Sequence, residues 1–367
     1  MATTTPNFGW AVPTSTDLVK DGALAIETLG DSIDASLVDL KGGTTGQVLA
    51  KATGTDMDFT WTTASASSTY LAGKNFIING AMDIWQRGTS FTVASGVYMM
   101  DRFYNTGNTS LTVTQDTDVP TSPAFTYSAK CVGTGTQSFS QRIESANSTP
   151  LAGQTVTISI YAKKTAGTGA LNVNLYYPNV KDTYGAVTQI GSALVLSASP
   201  SSSWTRYSVT TTLPANVTNG LLVLLDNVNT HTIYLTGLQL EIASSASGFS
   251  RNAANIGLEL AACQRYYWRN QTTTGFVIGD YYTTTRFFAV YKLPTTMRIN
   301  PTFAASGTAI ATVYSNGASR ASTNILVSDS SQDFGQVEFV TAAATAGNGG
   351  HVVCSTGGSY LEWSAEL

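Results

Sequence analysis

Charge is scarce in this 367-residue chain: Asp, Glu, Lys and Arg make up only 11% of it, against about 25% in ordinary soluble domains. The 19 basic residues are scattered, and Lys163–Lys164 is the one adjacent pair, read as a solvated strand end. Nucleic-acid binding draws on clustered Lys and Arg, so no such partner is expected. Histidine is scarcer still, with only His231 and His351. Neither sits near a motif, so no Ser/Cys–His–carboxylate arrangement, HExxH or close His pair arises. The stretch 347–350, GNGG, lacks the Lys-Ser/Thr and helix of a phosphate loop and reads as a turn. Cys131, Cys263 and Cys354 are odd in number and widely spaced, which excludes a disulfide framework and a metal knuckle and predicts buried free thiols. Folding in a reducing cytoplasm is compatible with that. The longest aliphatic run, Leu221 to Leu225, stops at Asp226, far short of the ~20 residues that span a bilayer. The opening MATTTPNFGW has neither the basic segment nor the apolar run of a signal peptide. No catalytic residue, metal site or cofactor is expected, and no membrane insertion.

Thr, Ser, Gly and Asn take the place of the charges. That mix suits β-strands with polar, uncharged outer faces joined by short turns. Apolar residues reach 43%, enough for a packed core in at least two places, and the length allows two or three domains. The expected fold class is mainly β: a short N-terminal coiled-coil helix and stem hairpin, then a jelly-roll-like β-sandwich and a smaller C-terminal β-domain.

Residues 1–16 read as an extended arm in which Pro6 and Pro13 bracket Phe8 and Trp10. Two aromatics on an exposed arm predict docking on another protein; the alternative is a disordered tail. Residues 17–40 read as a helix capped by Thr16 or Asp17. Val19, Ile26, Ile33 and Leu40 recur every seven residues, widened by Leu29 and Leu37. That is the seam of a coiled coil, compatible with three strands, or of an ordinary amphipathic helix. Gly22 and Gly30 weaken it by about 1 kcal/mol each relative to Ala, so its stability must come from partners. In residues 41–73, QVLAK and MDFTW alternate around a turn with Gly54 and Asp56, with Phe59 and Trp61 on one face, followed by a Thr/Ser/Ala-rich linker over 63–73. A lone hairpin is barely stable and predicts the same hairpin from other chains beside it.

Residues 74–242 hold short alternating runs: FIING, LTVTQ, TVTISIYAKK, LNVNLYY, WTRYSVTTTL, LLVLLD and TIYLTGLQLEI. Turn residues separate them at the spacing of a β-sandwich. Val156, Ile158 and Ile160, like Leu171, Val173 and Leu175, should line its core. Residues 243–367 read as a linker to Asn252, a short helix over 253–262, and a separate smaller β-domain with strands such as GFVIGDYY, RFFAVYKL and QVEFVTA.

Several stretches resemble phage virion proteins. PNFGWAVPTSTDLVKDGALAIETLGDSID is similar to the N-terminal attachment module of head or tail fibres, and KGGTTGQVLAKATGTDMDFTW to a stem hairpin found behind it. NFIINGAMDIWQRGTSF with Tyr98, Asp101, Arg102 and Phe103, then LTGLQLEIASSASGFSRN and ELAACQRYYW, resembles the carbohydrate-binding-type sandwich of tail fibres. YLEWSAEL is similar to tail-fibre C-termini. Residues 104–230 and much of 270–355 match only in style. The resemblance implies a homotrimeric, receptor-binding fibre of the virion, assembled in the host cytoplasm. Its N-terminus would be held by another virion structural protein, and its distal β-domains would attach to a host surface polysaccharide. Within those motifs Trp85 and Arg102 read as fold determinants, a core ring and a buried ion pair.

Sugar binding uses aromatic faces flanked by polar groups. Tyr177 and Trp204 in the sandwich, and Tyr281 and Tyr282 in the C-terminal domain, are the candidate stacking residues. Adjacent aromatics in a strand point to opposite faces, so one ring of each pair should be core. The expectation is a binding protein and not an enzyme. Alternatives are a decorating or baseplate structural protein without receptor binding, and a glycan depolymerase using a carboxylate pair that sequence cannot reveal.

Overall fold

The computed structural model describes all residues except 1–2, 16–17, 64–72, 94, 107–110, 123, 134–136, 228–229, 271–276, 308–309 and 355–358, and the side chains of 63, 93, 227, 230, 231 and 328. The fold is mainly β. The chain divides into two compact units, 1–69 and 70–367.

In the first unit the expected extended arm is a small hairpin: Thr3–Thr4 pairs with Ala11–Val12. In its loop the rings of Phe8 and Trp10 stack with centroids 4.8 Å apart. The helix runs Val19–Leu37, and none of its residues is buried within the unit; Leu29 is half-buried, while Val19 is 96% exposed and Ile26 64%. The expected caps Thr16 and Asp17 lie outside the described residues. Leu40, the fourth seam position, is a correction: it falls in a 3-10 turn, Val38–Leu40, so the seven-residue repeat leaves the α-helix after Ile33. Thr28, Ser32 and Ser36 donate to the carbonyls of Leu24, Thr28 and Ser32, which satisfies these hydroxyls inside the helix. Strands Gln47–Lys51 and Phe59–Thr63 form the hairpin, with Leu49 opposite Trp61. The Phe59 amide donates to Asp39 Oδ2 at 3.2 Å, tying hairpin to helix end. Most of the expected 63–73 linker lies outside the described residues.

In the second unit two antiparallel sheets face each other. One runs Thr205–Thr212, Thr155–Gly167, Thr230–Ile242, Ser128–Gly133, Leu111–Asp116, Ser90–Val93. The other runs Thr183–Gln189, Leu171–Val180, Leu221–Asn227, Gln137–Ile143, Tyr104–Asn105, Val97–Tyr98, with Leu194–Ser197 also on Leu171–Val180. The alternating residues Val156, Ile158, Ile160, Leu171, Val173 and Leu175 are all in the shared core. Lys163–Lys164 is not a solvated end. It lies inside the Thr155–Gly167 strand, where Lys163 pairs with Asp118 and Lys164 donates to Gly169 O and Ser199 Oγ.

FIING is not a strand. Ile77 enters the sandwich core, Ile78 enters a small core with Cys263 and Tyr266, and Asn79 turns the chain at φ +59°. Asn79 holds that turn by donating to the carbonyls of Ile84 and Asp101 and accepting from the Ile84 amide. Asn75 does the same between Leu238 O, Ser250 O and the Leu240 amide. A Cβ on Gly80 would stand 2.2 Å from Leu238 O, so only glycine fits this approach. Trp85 is a core ring, and Arg102 is buried, paired with Glu366 and stacked 3.5 Å from the Tyr266 ring centroid.

Residues 243–252 are not a free linker. Glu241 accepts from the Ser247 amide and hydroxyl, the Ser250 amide donates to Gln239 Oε1, and Arg251 pairs with Asp83. The helix Ile256–Gln264 is capped by Asn255, which accepts from the Leu258 amide. Its buried Glu259 accepts from the amides of Asn79 and Ala253, locking the helix to the sandwich turn.

The C-terminal region has its own core but is not detached; it belongs to the same compact unit. Its strands close a barrel in the order Val277–Tyr281, Arg286–Lys292, Phe334–Thr341, Ala318–Ser330, Ala311–Ser315, Gly349–Cys354. A three-stranded sheet, Tyr267–Asn270, Leu361–Ser364, Thr302–Ala305, adds Trp363, which packs on Trp268, Tyr291 and Phe303. After Trp363 the chain returns to the sandwich, where Glu366 meets Arg87 and Arg102. The three cysteines are free and buried.

Candidate functional site

In the second sheet, Leu171, Val173 and Leu175 point into the core, so Asn172, Asn174 and Tyr176 point out. Register carries the same outward face across the sheet. Asn172 lies opposite Asp226, Asn174 opposite Leu224, and Tyr176 opposite Leu222. On the next strand Ser138 lies opposite Asp226, Ser140 opposite Leu224 and Arg142 opposite Leu222. Tyr104 lies opposite Ser140, and Tyr98 opposite Tyr104.

This face turns away from the core, yet Ser140 is 1% exposed and Asn174 is 6% exposed. Ser140 and Asn174 therefore lie low in this face, beneath the longer side chains around them. Its floor is a hydrogen-bonded row: Ser138 Oγ donates to Asp226 Oδ1, Asn174 Nδ2 donates to Asp226 Oδ2, and Gln189 Nε2 donates to Asn174 Oδ1 at 3.2 Å. Ser140 Oγ and Asn172 Oδ1 are buried and have no hydrogen-bond partner among the described residues. Native proteins rarely leave such atoms unsatisfied. Tyrosines flank the floor. Tyr176 stands at one side; at the other, Tyr104 packs edge-on to Tyr98 at 5.0 Å with the Arg142 guanidinium 4.3 Å from its ring centroid.

Burial pushes the Asp226 carboxyl above the usual carboxylate range, opposed by the hydrogen bonds from Ser138 and Asn174. Burial and the Asp226 carboxylate together raise the Tyr176 phenol. Donors, acceptors and ring faces of this kind are chemically suited to a hydroxyl-rich ligand, whose hydroxyls can exchange hydrogen bonds with polar groups and whose C–H face can lie on a ring.

The sequence-predicted residues are dispersed. Tyr177 packs against the sandwich core, the face opposite the recess, so the alternation rule selects its neighbour Tyr176 instead. Tyr281 is a correction: it is 0% exposed, its ring edge-on to Phe287, its hydroxyl bonded to Thr341. A sugar cannot reach it. Tyr282 is exposed beside Phe288. Trp204 lies on the outer face of the other sheet, half-buried, with its indole N–H already given to Asp118 Oδ1 at 2.8 Å and Tyr234 and Lys163 against its ring. The hydrogen bond from Lys163 holds Asp118 below the usual carboxylate range. Phe8 and Trp10, and the seam residues Val19, Ile26, Ile33 and Leu40, belong to the first unit. His351 stacks on Tyr314 at 5.2 Å; the His231 side chain lies outside the described residues. Among the described residues, no group of three or more His, Cys, Asp or Glu is placed to hold a metal ion.

No protein-family model matches the chain, and no curated protein matches its sequence. Among solved structures, the enzymatically active domain of tailspike protein 4 from bacteriophage CBA120 is similar at 13% identity with a TM-score of 0.32, over 46% of this chain and 22% of that one. The chain thus spans under a quarter of the tailspike structure it matches. The CBM22-1 xylan-binding domain from Paenibacillus barcinonensis is similar at 15% identity with a TM-score of 0.30, over 48% of this chain and 98% of that one. The CBM22-2 domain from the same organism is similar at 14% identity with a TM-score of 0.29, over 39% of this chain and 92% of that one.

Proposed function

We propose that the chain is a bacteriophage fibre protein of the virion that binds a host-surface glycan in the sandwich recess without cleaving it. The observation that carries the binding is the pair of buried polar atoms, Ser140 Oγ and Asn172 Oδ1, that have no hydrogen-bond partner among the described residues, on an outward face beside the Asp226 row. Ligand hydroxyls would satisfy them, and Tyr176 and Tyr104 would bracket the sugar.

The sequence resemblance supports attachment to the virion through the N-terminal unit. There the stacked Phe8 and Trp10 offer apolar rings to a virion partner, and Phe8 is half-exposed. The uncovered stripe of the Val19–Leu37 helix supports association of three copies. Single sugar sites are weak, near millimolar or about −4 kcal/mol, and three linked sites raise avidity by roughly 10²–10⁴.

The test is to incubate the purified protein and an Asn174→Ala/Tyr176→Ala variant with host cells and with extracted surface polysaccharide. Adsorption by the wild type, lost in the variant, with polysaccharide length unchanged, is the expected result. No adsorption by the wild type makes this a decorating or baseplate protein whose β-domains only pack. Adsorption with shortening of the polysaccharide makes it a depolymerase.

A further inference from the structure

Where the sandwich meets the C-terminal sheet there is an open cleft of about 570 Å³, lined among others by Arg87, Tyr98, Tyr267, Arg269, Tyr360 and Glu362. We propose that this cleft is a second saccharide subsite, built for the vicinal hydroxyls of a neutral sugar. The inference rests on the glycan-binding reading above and extends it to a different place in the fold.

The Arg87 guanidinium lies 3.5 Å from the Tyr267 ring centroid and 5.1 Å from that of Tyr98. Rings occupy its faces, so its edge is what it offers. Nη2 donates to Glu366 Oε1 at 3.1 Å. Nη1 is buried with no hydrogen-bond partner among the described residues, in a side chain only 10% exposed. The neighbouring Arg269 is saturated in comparison. It donates to Arg87 O at 2.6 Å, to the Tyr267 hydroxyl at 2.7 Å and to Glu362 Oε2 at 2.9 Å, and lies 3.7 Å from the Tyr360 ring centroid.

Glu362 supplies the opposite function. Its Oε2 accepts from the Tyr267 hydroxyl and from Nε and Nη2 of Arg269, and the side chain is 23% exposed. Among the described residues Oε1 accepts no hydrogen bond, so its lone pairs are left for a donor from outside. A donor and a carboxylate oxygen that both lack partners among the described residues, in one cleft, match two adjacent hydroxyls, one accepting from Arg87 and the other donating to Glu362. The ring carbons would lie against Tyr98 or Tyr360. An anionic sugar would meet Arg87, but it would also meet the carboxylates of Glu362 and Glu366, which decides for the neutral ligand. Tyr98 is common to the two places. It lines the cleft and packs on Tyr104 at the end of the recess, so a chain lying in the recess leads to the cleft.

Full-length protein labelled with 3-fluorotyrosine separates the two sites by fluorine NMR, with Tyr176 reporting the recess and Tyr360 the cleft. The probes are tetrasaccharides of glucose, galactose and mannose, and their uronate counterparts. The expected result is that a neutral tetrasaccharide shifts the Tyr360 resonance, and that Glu362→Ala weakens that response at least fivefold while the Tyr176 response is unchanged. A Tyr360 signal that no neutral probe moves, while Tyr176 responds, overturns the cleft and leaves the recess standing. A Tyr360 response confined to uronates overturns the neutral-diol assignment. Silence at both tyrosines overturns both sites. The wild-type titration decides even if the variant fails to fold.

Discussion

Tyr176 and Tyr177 are consecutive in the Leu171–Val180 strand and serve opposite faces of one sheet: Tyr177 packs on the sandwich core, and Tyr176 stands over the recess opposite Leu222. The two substitutions to alanine should therefore separate binding from stability. Tyr177→Ala should lower stability by about 2 kcal/mol, below the usual cost for a fully buried aromatic because the ring is half-buried. Tyr176→Ala should change stability by less than about 1 kcal/mol and weaken glycan adsorption about tenfold. Denaturant melts and cell adsorption measure the two. Equal effects of both variants on both readouts would contradict the assignment of faces.

Asp226 gives the recess a pH signature. Its folded-state pKa is raised by burial, so the folded chain binds this proton more tightly than the unfolded chain does. For this group alone, stability is least above the raised value and increases as pH falls toward the unfolded carboxylate value. In Asp226→Asn that contribution is gone. The stability difference between wild type and variant should shift in favour of the wild type on acidification. A difference that is flat across the acid range would sink the idea.

Gly80→Ala should destabilise the sandwich by about 1–3 kcal/mol or more through overpacking, because the new methyl would press on the Leu238 carbonyl oxygen. The neighbouring Asn75 amide is tied to the same carbonyl and would be displaced with it. Circular dichroism against urea reads the change. A neutral outcome would mean the 75–80 turn shifts freely, against the hydrogen bonds that hold it.

If the helix stripe joins three copies, Ile26→Asp with Ile33→Asp should dissociate them, since each buried Ile contributes about 1.5–3 kcal/mol. Sedimentation of the double variant as a folded monomer is the expected outcome. An unchanged trimer would move the assembly contacts to the distal β-structure.

If the N-terminal unit attaches the chain to a virion, removing residues 1–16 should leave a folded, soluble protein that no longer enters particles, because the Phe8–Trp10 pair goes with them. Normal incorporation would show that attachment lies elsewhere.

Strand content was legible wherever alternation was regular, as at Val156, Ile158, Ile160 and at Leu171, Val173, Leu175. FIING misleads because its apolar residues divide between two cores at a turn, and a short apolar run looks the same either way. The recess was less visible. Its floor joins Ser138, Asn174 and Asp226, up to 88 positions apart, through strand pairing alone. One local signal did exist: in LNVNLYY the residues alternating with the core positions are Asn172, Asn174 and Tyr176, a polar-aromatic outer face that adjacent-tyrosine reasoning passed over. The Arg87 cleft had no local signal, since its walls come from both ends of the compact unit.

The contact between Arg102 and Glu366 spans 264 positions, and that separation sets an order of events during synthesis. Domains form as the chain leaves the ribosome, N-terminal parts first. The sandwich strands are complete by Ile242, yet the buried Arg102 guanidinium lacks its carboxylate until residue 366 has emerged. Until then a half-made protein keeps an uncompensated charge where the finished one has an ion pair. Closure of the sandwich around Arg102 thus waits for residue 366, and a chain cut anywhere between Ile242 and Glu366 keeps that guanidinium without its carboxylate.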